Sequence, residues 1–225
     1  DARVWSFFNR YADGFDRYLP WALGKAKDAE DMPLWIVPNC KLSVHDLETA
    51  MRDHYEGTPL ALDTTSIGGG LYQMPYRPTP LTFKVDGKEY FNERPISTQQ
   101  TAFTFVSQLR SWLPNEIGGV IWFGNDDANM IAYTPVYCAS TRQPLCYNTP
   151  GADAVTFSAD NAFWMYNFVS NMVYPRYSQL FPELQAVRDS LEQGYFAAQQ
   201  SVEQQALSLY ASDKAAAIEH LTSYG

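Results

Sequence analysis

The stretch Gly118-Gly119-Val120-Ile121-Trp122-Phe123-Gly124 decides the fold class of this 225-residue chain. Its four central residues are all apolar, whereas a strand with one solvated face alternates apolar and polar side chains. The segment 101–109, with Phe103, Phe105 and Val106 at its centre, has the same character. Continuous apolar strands are typical of a sheet that is buried on both faces, so we expect layers of other structure above and below it.

The segments on either side of this stretch predict the rest of an antiparallel sheet. Asp86-Gly87 lies between two short strand-forming runs, and this dipeptide is a strong short-range signal of a two-residue hairpin. The Asn- and Asp-rich run 125–129 predicts a turn before a last strand over 131–137. We therefore expect antiparallel strands across residues 81–137.

Residues 1–80 are predicted to hold two short helices and long packed loops. The first helix is expected near 4–12. The second begins at Ser43, which is a good N-cap residue, and is expected to end at Gly57. The triple glycine at 68–70 follows no strand and precedes no Lys-Ser/Thr pair, so we interpret it as part of a surface loop rather than as a phosphate cradle.

The C-terminal part, residues 158–222, carries apolar residues at helical spacing. Its first helix is expected to end before Pro175, its second to begin at Phe181, and Asp213 to cap a short last helix. The predicted fold class is therefore α+β, with an antiparallel sheet and a helical C-terminal third.

Composition and charge exclude several classes of protein. Hydrophobic residues make up 46% of the chain and charged residues 18%, which is typical of a packed domain and not of a disordered chain. The net charge of −9 and the scattered basic residues disfavour binding to nucleic acid, because phosphate neutralisation needs clustered Lys and Arg. No apolar run approaches the roughly 18 residues of a membrane-spanning helix, so no membrane span is predicted.

The chain contains three cysteines, Cys40, Cys138 and Cys146. The last two lie eight residues apart around a polar turn. This spacing is compatible with a disulfide, which would indicate a periplasmic or extracellular protein, and equally with two free thiols. No histidine or second cysteine stands at metal-ligand spacing from any of the three, so we expect no metal site.

Taken alone, the residues offer no complete catalytic set. The three histidines, His45, His54 and His220, belong to no recognised catalytic motif. The polar run 97–101 leads directly into a predicted buried strand. Such a run serves either to hydrogen-bond the end of the strand or to line a site at the edge of the sheet.

Seven segments, in the same order along nearly the whole chain, together resemble the cysteine dipeptidases of the dipeptidase A and secernin group, a branch of the N-terminal-nucleophile hydrolases. The most specific of them is Met51-Arg52-Asp53-His54-Tyr55-Glu56-Gly57-Thr58. The other six segments are 2–6, 41–46, 97–101, 106–110, 118–124 and 133–137.

The resemblance implies an αββα sandwich that hydrolyses dipeptides without a metal or organic cofactor. The nucleophile of such enzymes is a cysteine at the mature N-terminus, whose own α-amino group is the base. Residue 1 is Asp and all three cysteines are internal. We therefore expect residues 1–225 to be the C-terminal portion of a single dipeptidase domain, inactive alone, whose N-terminal portion carries the nucleophile.

The resemblance also suggests site residues. Arg3 stands in a setting similar to that of an Arg near the nucleophile of related acylases, where it would favour the thiolate and stabilise developing negative charge. Gln99, Gln100 and Thr101 are candidate substrate-binding residues. The expected partners are a dipeptide substrate and the N-terminal portion of the enzyme, and self-association stays open. The alternatives are a non-catalytic family member and a peptide- or carbohydrate-binding module.

Overall fold

The structure is a computed structural model that describes residues 2–24, 30–63, 69–77, 82–91 and 94–224. The chain divides into two compact units, Asp1–Gln99 and Gln100–Gly225. Both units combine helices with a small antiparallel sheet, which confirms the predicted α+β class. None of the helices in the described ranges has the length and apolar character that crossing a membrane requires.

The first unit packs around its first helix, α1 (Ala2–Tyr11). Trp5 of this helix is buried against Phe15 and Tyr18, and its indole nitrogen Nε1 donates to the carbonyl of Phe15 over 3.1 Å. Trp5, Phe15 and Tyr18 therefore belong to the core of this unit, whereas Trp35 is 73% exposed. The elements of the first unit are α1 (Ala2–Tyr11), a 3₁₀ helix (Phe15–Tyr18), α2 (Leu19–Ala22), α3 (Val44–Met51), β1 (Thr82–Val85) and β2 (Lys88–Phe91).

The N-cap residue of α3, Ser43, was predicted correctly, but the end of the helix was not. Ser43 and Asp46 form a capping box, in which each side chain accepts from the other residue's backbone. The helix stops at Met51 rather than at Gly57. Tyr55 has a φ of 68°, a left-handed conformation that no α-helix can contain, so His54 lies in a turn and not on a helix.

The hairpin of β1 and β2 is confirmed with the expected two-residue turn. Val85 pairs with Lys88 in antiparallel register. Asp86 and Gly87 have φ values of 50° and 77°, as both central residues of a type I′ turn require. Gly68 of the predicted glycine loop, together with Leu81 at the start of the predicted strand, lies outside the described residues.

The second unit is built on a three-stranded antiparallel sheet whose strands follow the order of the chain: β3 (Phe103–Leu109), β4 (Gly119–Asn125) and β5 (Thr134–Tyr137). The last strand begins three residues later than predicted, because the N–H of Tyr133 donates to Glu192 Oε1 at 2.9 Å and is not paired in the sheet. The long helix begins before Phe181 and contains Pro182. The elements are β3 (Phe103–Leu109), α4 (Asn115–Gly118), β4 (Gly119–Asn125), β5 (Thr134–Tyr137), α5 (Ala162–Val173), α6 (Tyr177–Tyr210), α7 (Lys214–Thr222) and two 3₁₀ helices (Leu145–Tyr147 and Tyr174–Arg176).

One face of this sheet is buried and the other is open, so the prediction of two buried faces holds for one face only. On the buried face Trp122 is fully covered and stacks on Phe196 of α6 at a centroid distance of 4.5 Å. On the other face Phe103 and Phe105 are 55% and 51% exposed. Buried and exposed positions alternate along β3. The sequence does not indicate this alternation, because the exposed residues Phe103 and Phe105 are also apolar.

Cys138 and Cys146 are both free and exposed, as is Cys40. Of the two alternatives that their spacing left open, the structure therefore contains the free thiols. Asp213 caps α7 as predicted, since its carboxylate accepts from the N–H of Ala216.

A nearly buried carboxylate joins the sheet to α6. Glu203 accepts hydrogen bonds from the guanidinium of Arg110 at 2.7 Å, from the hydroxyl of Tyr137 at 3.0 Å and from the amide of Gln199 at 2.9 Å. Only 10% of the Arg110 side chain and 13% of the Glu203 side chain are exposed. Burial, followed by the charge of Glu203, raises the pKa of Tyr137 well above its ordinary value, so the phenol stays protonated as a donor.

Replacing Glu203 with Gln should lower the free energy of unfolding by about 3 kcal/mol, because it leaves the Arg110 charge buried without its counter-ion. The matched control is Glu219→Gln, which breaks the exposed pair with Arg142. An exposed pair contributes little, so the control should lose less than about 1 kcal/mol. Urea unfolding measures both, and equal losses in the two variants would contradict the assignment.

Candidate functional site

The segment after α3 is the centre of the polar contacts in the first unit. Asp53 is 2% exposed, and its carboxylate accepts from the Ser6 hydroxyl at 2.5 Å and from the guanidinium of Arg10. Ser6 and Arg10 lie four residues apart on α1, so they project from one face of that helix. The sequence places these groups more than forty residues away from Asp53, and the fold brings them together.

The main chain of Asp53 contacts a third segment. Its carbonyl oxygen accepts from the N–H of Ser97 at 3.1 Å, and Ser97 is fully buried. Two residues further on, the side-chain amide of Gln99 donates to the carbonyl of Arg77 at 3.0 Å. Asp53 therefore holds α1 through its side chain and the polar run 97–99 through its backbone.

The next residues form an imidazole–carboxylate pair. His54 Nδ1 lies 2.9 Å from Glu56 Oε1, and the His54 N–H donates to the other oxygen of the same carboxylate at 2.8 Å. The left-handed Tyr55 between them turns the chain so that both side chains face each other. With a carboxylate as acceptor, Nδ1 is the donor in this hydrogen bond.

The His54 ring is 1% exposed, and its Nε2 atom has no hydrogen-bond partner within the part of the chain that the structure describes. The edge of the ring packs against Tyr76 at a centroid distance of 4.7 Å. Burial opposes ionisation of Glu56, but the hydrogen bonds and the charge of His54 outweigh it and hold the pKa of Glu56 below its ordinary value.

Two of the four predicted site residues, Arg3 and Gln99, fall on the segments that Asp53 connects. Arg3 is exposed on α1, three residues before Ser6. Gln99 is half-buried, and its amide is engaged with the carbonyl of Arg77. Gln100 is exposed and Thr101 half-buried at the start of the second unit.

Asp53 and Glu56 were not among the site residues predicted from the sequence. Both lie in the most specific segment of the resemblance, and a run of charged residues beside a histidine was the available signal. What the sequence could not indicate was their partners, because the contacts of Asp53 depend on the tertiary fold.

Acidification should remove a contribution of Glu56 to stability. Because the pKa of this carboxyl is depressed in the folded state, the contribution is complete above its ordinary value of 4.5 and is lost as the pH falls through the lower folded value. The stability difference between the native protein and Glu56→Gln should therefore shrink between pH 6 and pH 3. Urea unfolding across that range measures it, and a constant difference would speak against the pair.

Comparison with known proteins identifies the family of this chain. The model of peptidase family C69 matches residues 1–190. A probable dipeptidase of Latilactobacillus sakei is 23% identical over 175 residues, which cover 78% of this chain and 31% of that protein. A probable dipeptidase of Salmonella dublin is 25% identical over 154 residues, covering 67% of this chain and 27% of that protein.

Dipeptidase A of Lactobacillus helveticus is 25% identical over 191 residues, which cover 85% of this chain and 33% of that protein. The chain thus spans about a third or less of the length of the curated relatives it matches. The family match contains α1, the Asp53 segment and the whole sheet of the second unit. This chain belongs to peptidase family C69.

Proposed function

We propose that this chain is the C-terminal portion of a dipeptidase whose nucleophile is a cysteine upstream of residue 1. The observation that carries the proposal is the family match, together with relatives that are named dipeptidases and are about three times longer than the matched segment. The internal positions of Cys40, Cys138 and Cys146 agree with a nucleophile elsewhere, since none of them can offer a free α-amino group as its own base.

The open face of the sheet in the second unit supports this reading. Aromatic and aliphatic side chains of all three strands lie on this face, where a cavity of about 210 Å³ opens. A contiguous apolar face is typical of a surface that another layer covers. We propose that the upstream portion supplies that layer as the second sheet of an αββα sandwich. The cavity is lined by Ile121, Phe123, Val136, Gln143, Pro144 and Tyr147.

The proposed reaction is acyl transfer to the cysteine. The thiolate attacks the carbonyl carbon of the dipeptide, the C–N bond breaks, and the leaving amine takes the proton held by the α-amino group. Water then hydrolyses the thioester. Arg3 is proposed to favour the thiolate and to stabilise the negative charge that develops on the carbonyl oxygen. Gln99, Gln100 and Thr101 are proposed to contact the substrate.

The first test uses the full-length parent protein. Intact mass and N-terminal sequencing should show a mature N-terminal cysteine, and hydrolysis of a panel of dipeptides should disappear after treatment with iodoacetamide, because the alkylated thiol cannot attack. A parent without such a cysteine and without hydrolysis would overturn the enzyme proposal in favour of a non-catalytic family member.

The second test concerns Arg3. In the full-length parent, Arg3→Ala should lower kcat/KM by about 10²-fold, in the range found when one donor to a developing oxyanion is removed. Lys84→Ala is the matched control, because it removes one exposed positive charge from the β1–β2 hairpin and should leave kcat/KM unchanged. If both variants keep the native rate, Arg3 has no catalytic role.

A further inference from the structure

Asp53 has contacts both with α1 and with the run 97–99. Its two carboxylate oxygens accept from Ser6 and Arg10, and its carbonyl accepts from Ser97. A charged group that is almost fully buried persists only when it is paired and hydrogen-bonded. The contacts of Asp53 are therefore directional constraints as well as contributions to stability.

These hydrogen bonds act on helix α1, which is too short to be stable in isolation. Helix α1 has ten residues, and isolated helices of this length are marginal in water. Its position therefore depends on tertiary contacts, and charge-assisted hydrogen bonds to a fixed carboxylate limit both its rotation and its translation. Arg3 lies on this helix, less than one turn before Ser6, so we expect a change at Asp53 to displace Arg3.

The turn that carries Asp53 is itself held firmly. The N–H of Asp53 donates to the carbonyl of Ala50 at 3.3 Å, which ties it to the end of α3. On the other side, the carbonyl of Tyr55 accepts from both the N–H and the hydroxyl of Thr58, at 3.1 and 2.7 Å. A fully buried aromatic residue with positive φ is an unfavoured conformation that only a rigid surrounding maintains, and such positions cluster at functional sites.

We propose that Asp53 is a positioning residue of the peptidase site, which sets the location of Arg3 relative to the run 97–99. This inference rests on the proposed function. Asp53 does not contact the substrate; it acts through Arg10 and Ser6 on α1. Its removal should therefore slow the chemical step more than it weakens substrate binding.

The test is a double-mutant cycle in the full-length parent. Asp53→Asn should lower kcat by about 10²-fold, as expected for a reacting group displaced by about 1 Å, while KM changes less than about threefold. Arg10→Gln should give a similar loss. The double variant should lose no more than either single one, because both substitutions break the same ion pair.

Asp46→Asn is the matched control. It weakens the cap of α3 and so lowers stability, but it leaves both donors from α1 on Asp53 in place. Its kcat should stay within about twofold of the native value. If Asp53→Asn is folded at the assay temperature and keeps the native kcat, or if the two single losses add in the double variant, the positioning role is wrong.

A second measurement separates this proposal from the function it rests on. Hydrogen exchange should accelerate over residues 2–11 in Asp53→Asn while the amides of 44–51 keep their protection. If the native parent hydrolyses no dipeptide, the proposed function fails, and exchange then decides whether Asp53 holds α1. Unchanged exchange in α1 would overturn the inference even in an active enzyme.

Discussion

A carboxylate removed from water must find its hydrogen-bond donors within the protein, and both units of this chain contain such a carboxylate that joins segments distant in sequence. In the first unit Asp53 receives donors from α1. In the second unit Glu203 receives donors from Arg110, which directly follows β3, from Tyr137 of β5 and from its own helix, α6. Apolar contacts supply most of the driving force for folding, but they are not directional. The paired carboxylates determine which helix face meets which segment.

Local chemistry predicted the elements whose cause is local. Asp86-Gly87 requires only its own backbone preferences to form a hairpin, and Ser43 with Asp46 caps α3 through bonds that span three residues. The errors came where tertiary contacts decide. Helix α3 ends before the predicted residue because the side chains of Asp53 and His54 are hydrogen-bonded to residues outside the helix. Strand β5 begins after the predicted residue because the N–H of Tyr133 donates to Glu192 and not to the sheet. The open face of β3 was missed because Phe103 and Phe105 are apolar at outward positions.

The candidates for the site came from the resemblance, and their roles stay predictions. Arg3 and Gln99 were obtained in this way, and the structure places them on the two segments that Asp53 connects. Asp53 itself could not be assigned a role from the sequence, because its partners lie 43 to 47 residues away along the chain. No periodicity or motif spacing encodes a contact of that range.

In this chain the residues that carry the family resemblance most strongly are residues that hold the fold, not residues that are proposed to react with a substrate. The segment that most strongly carries the resemblance, 51–58, is occupied by groups whose contacts hold the fold: Asp53 binds α1, Tyr55 turns the chain, and Glu56 pairs with His54. Arg3, by contrast, is exposed on α1 and lies in a part of the resemblance that is far less specific. A buried group affects both stability and activity when it is replaced, whereas an exposed one affects activity alone if it is catalytic. The ratio of the two effects therefore distinguishes residues that hold the fold of this chain from residues that take part in chemistry.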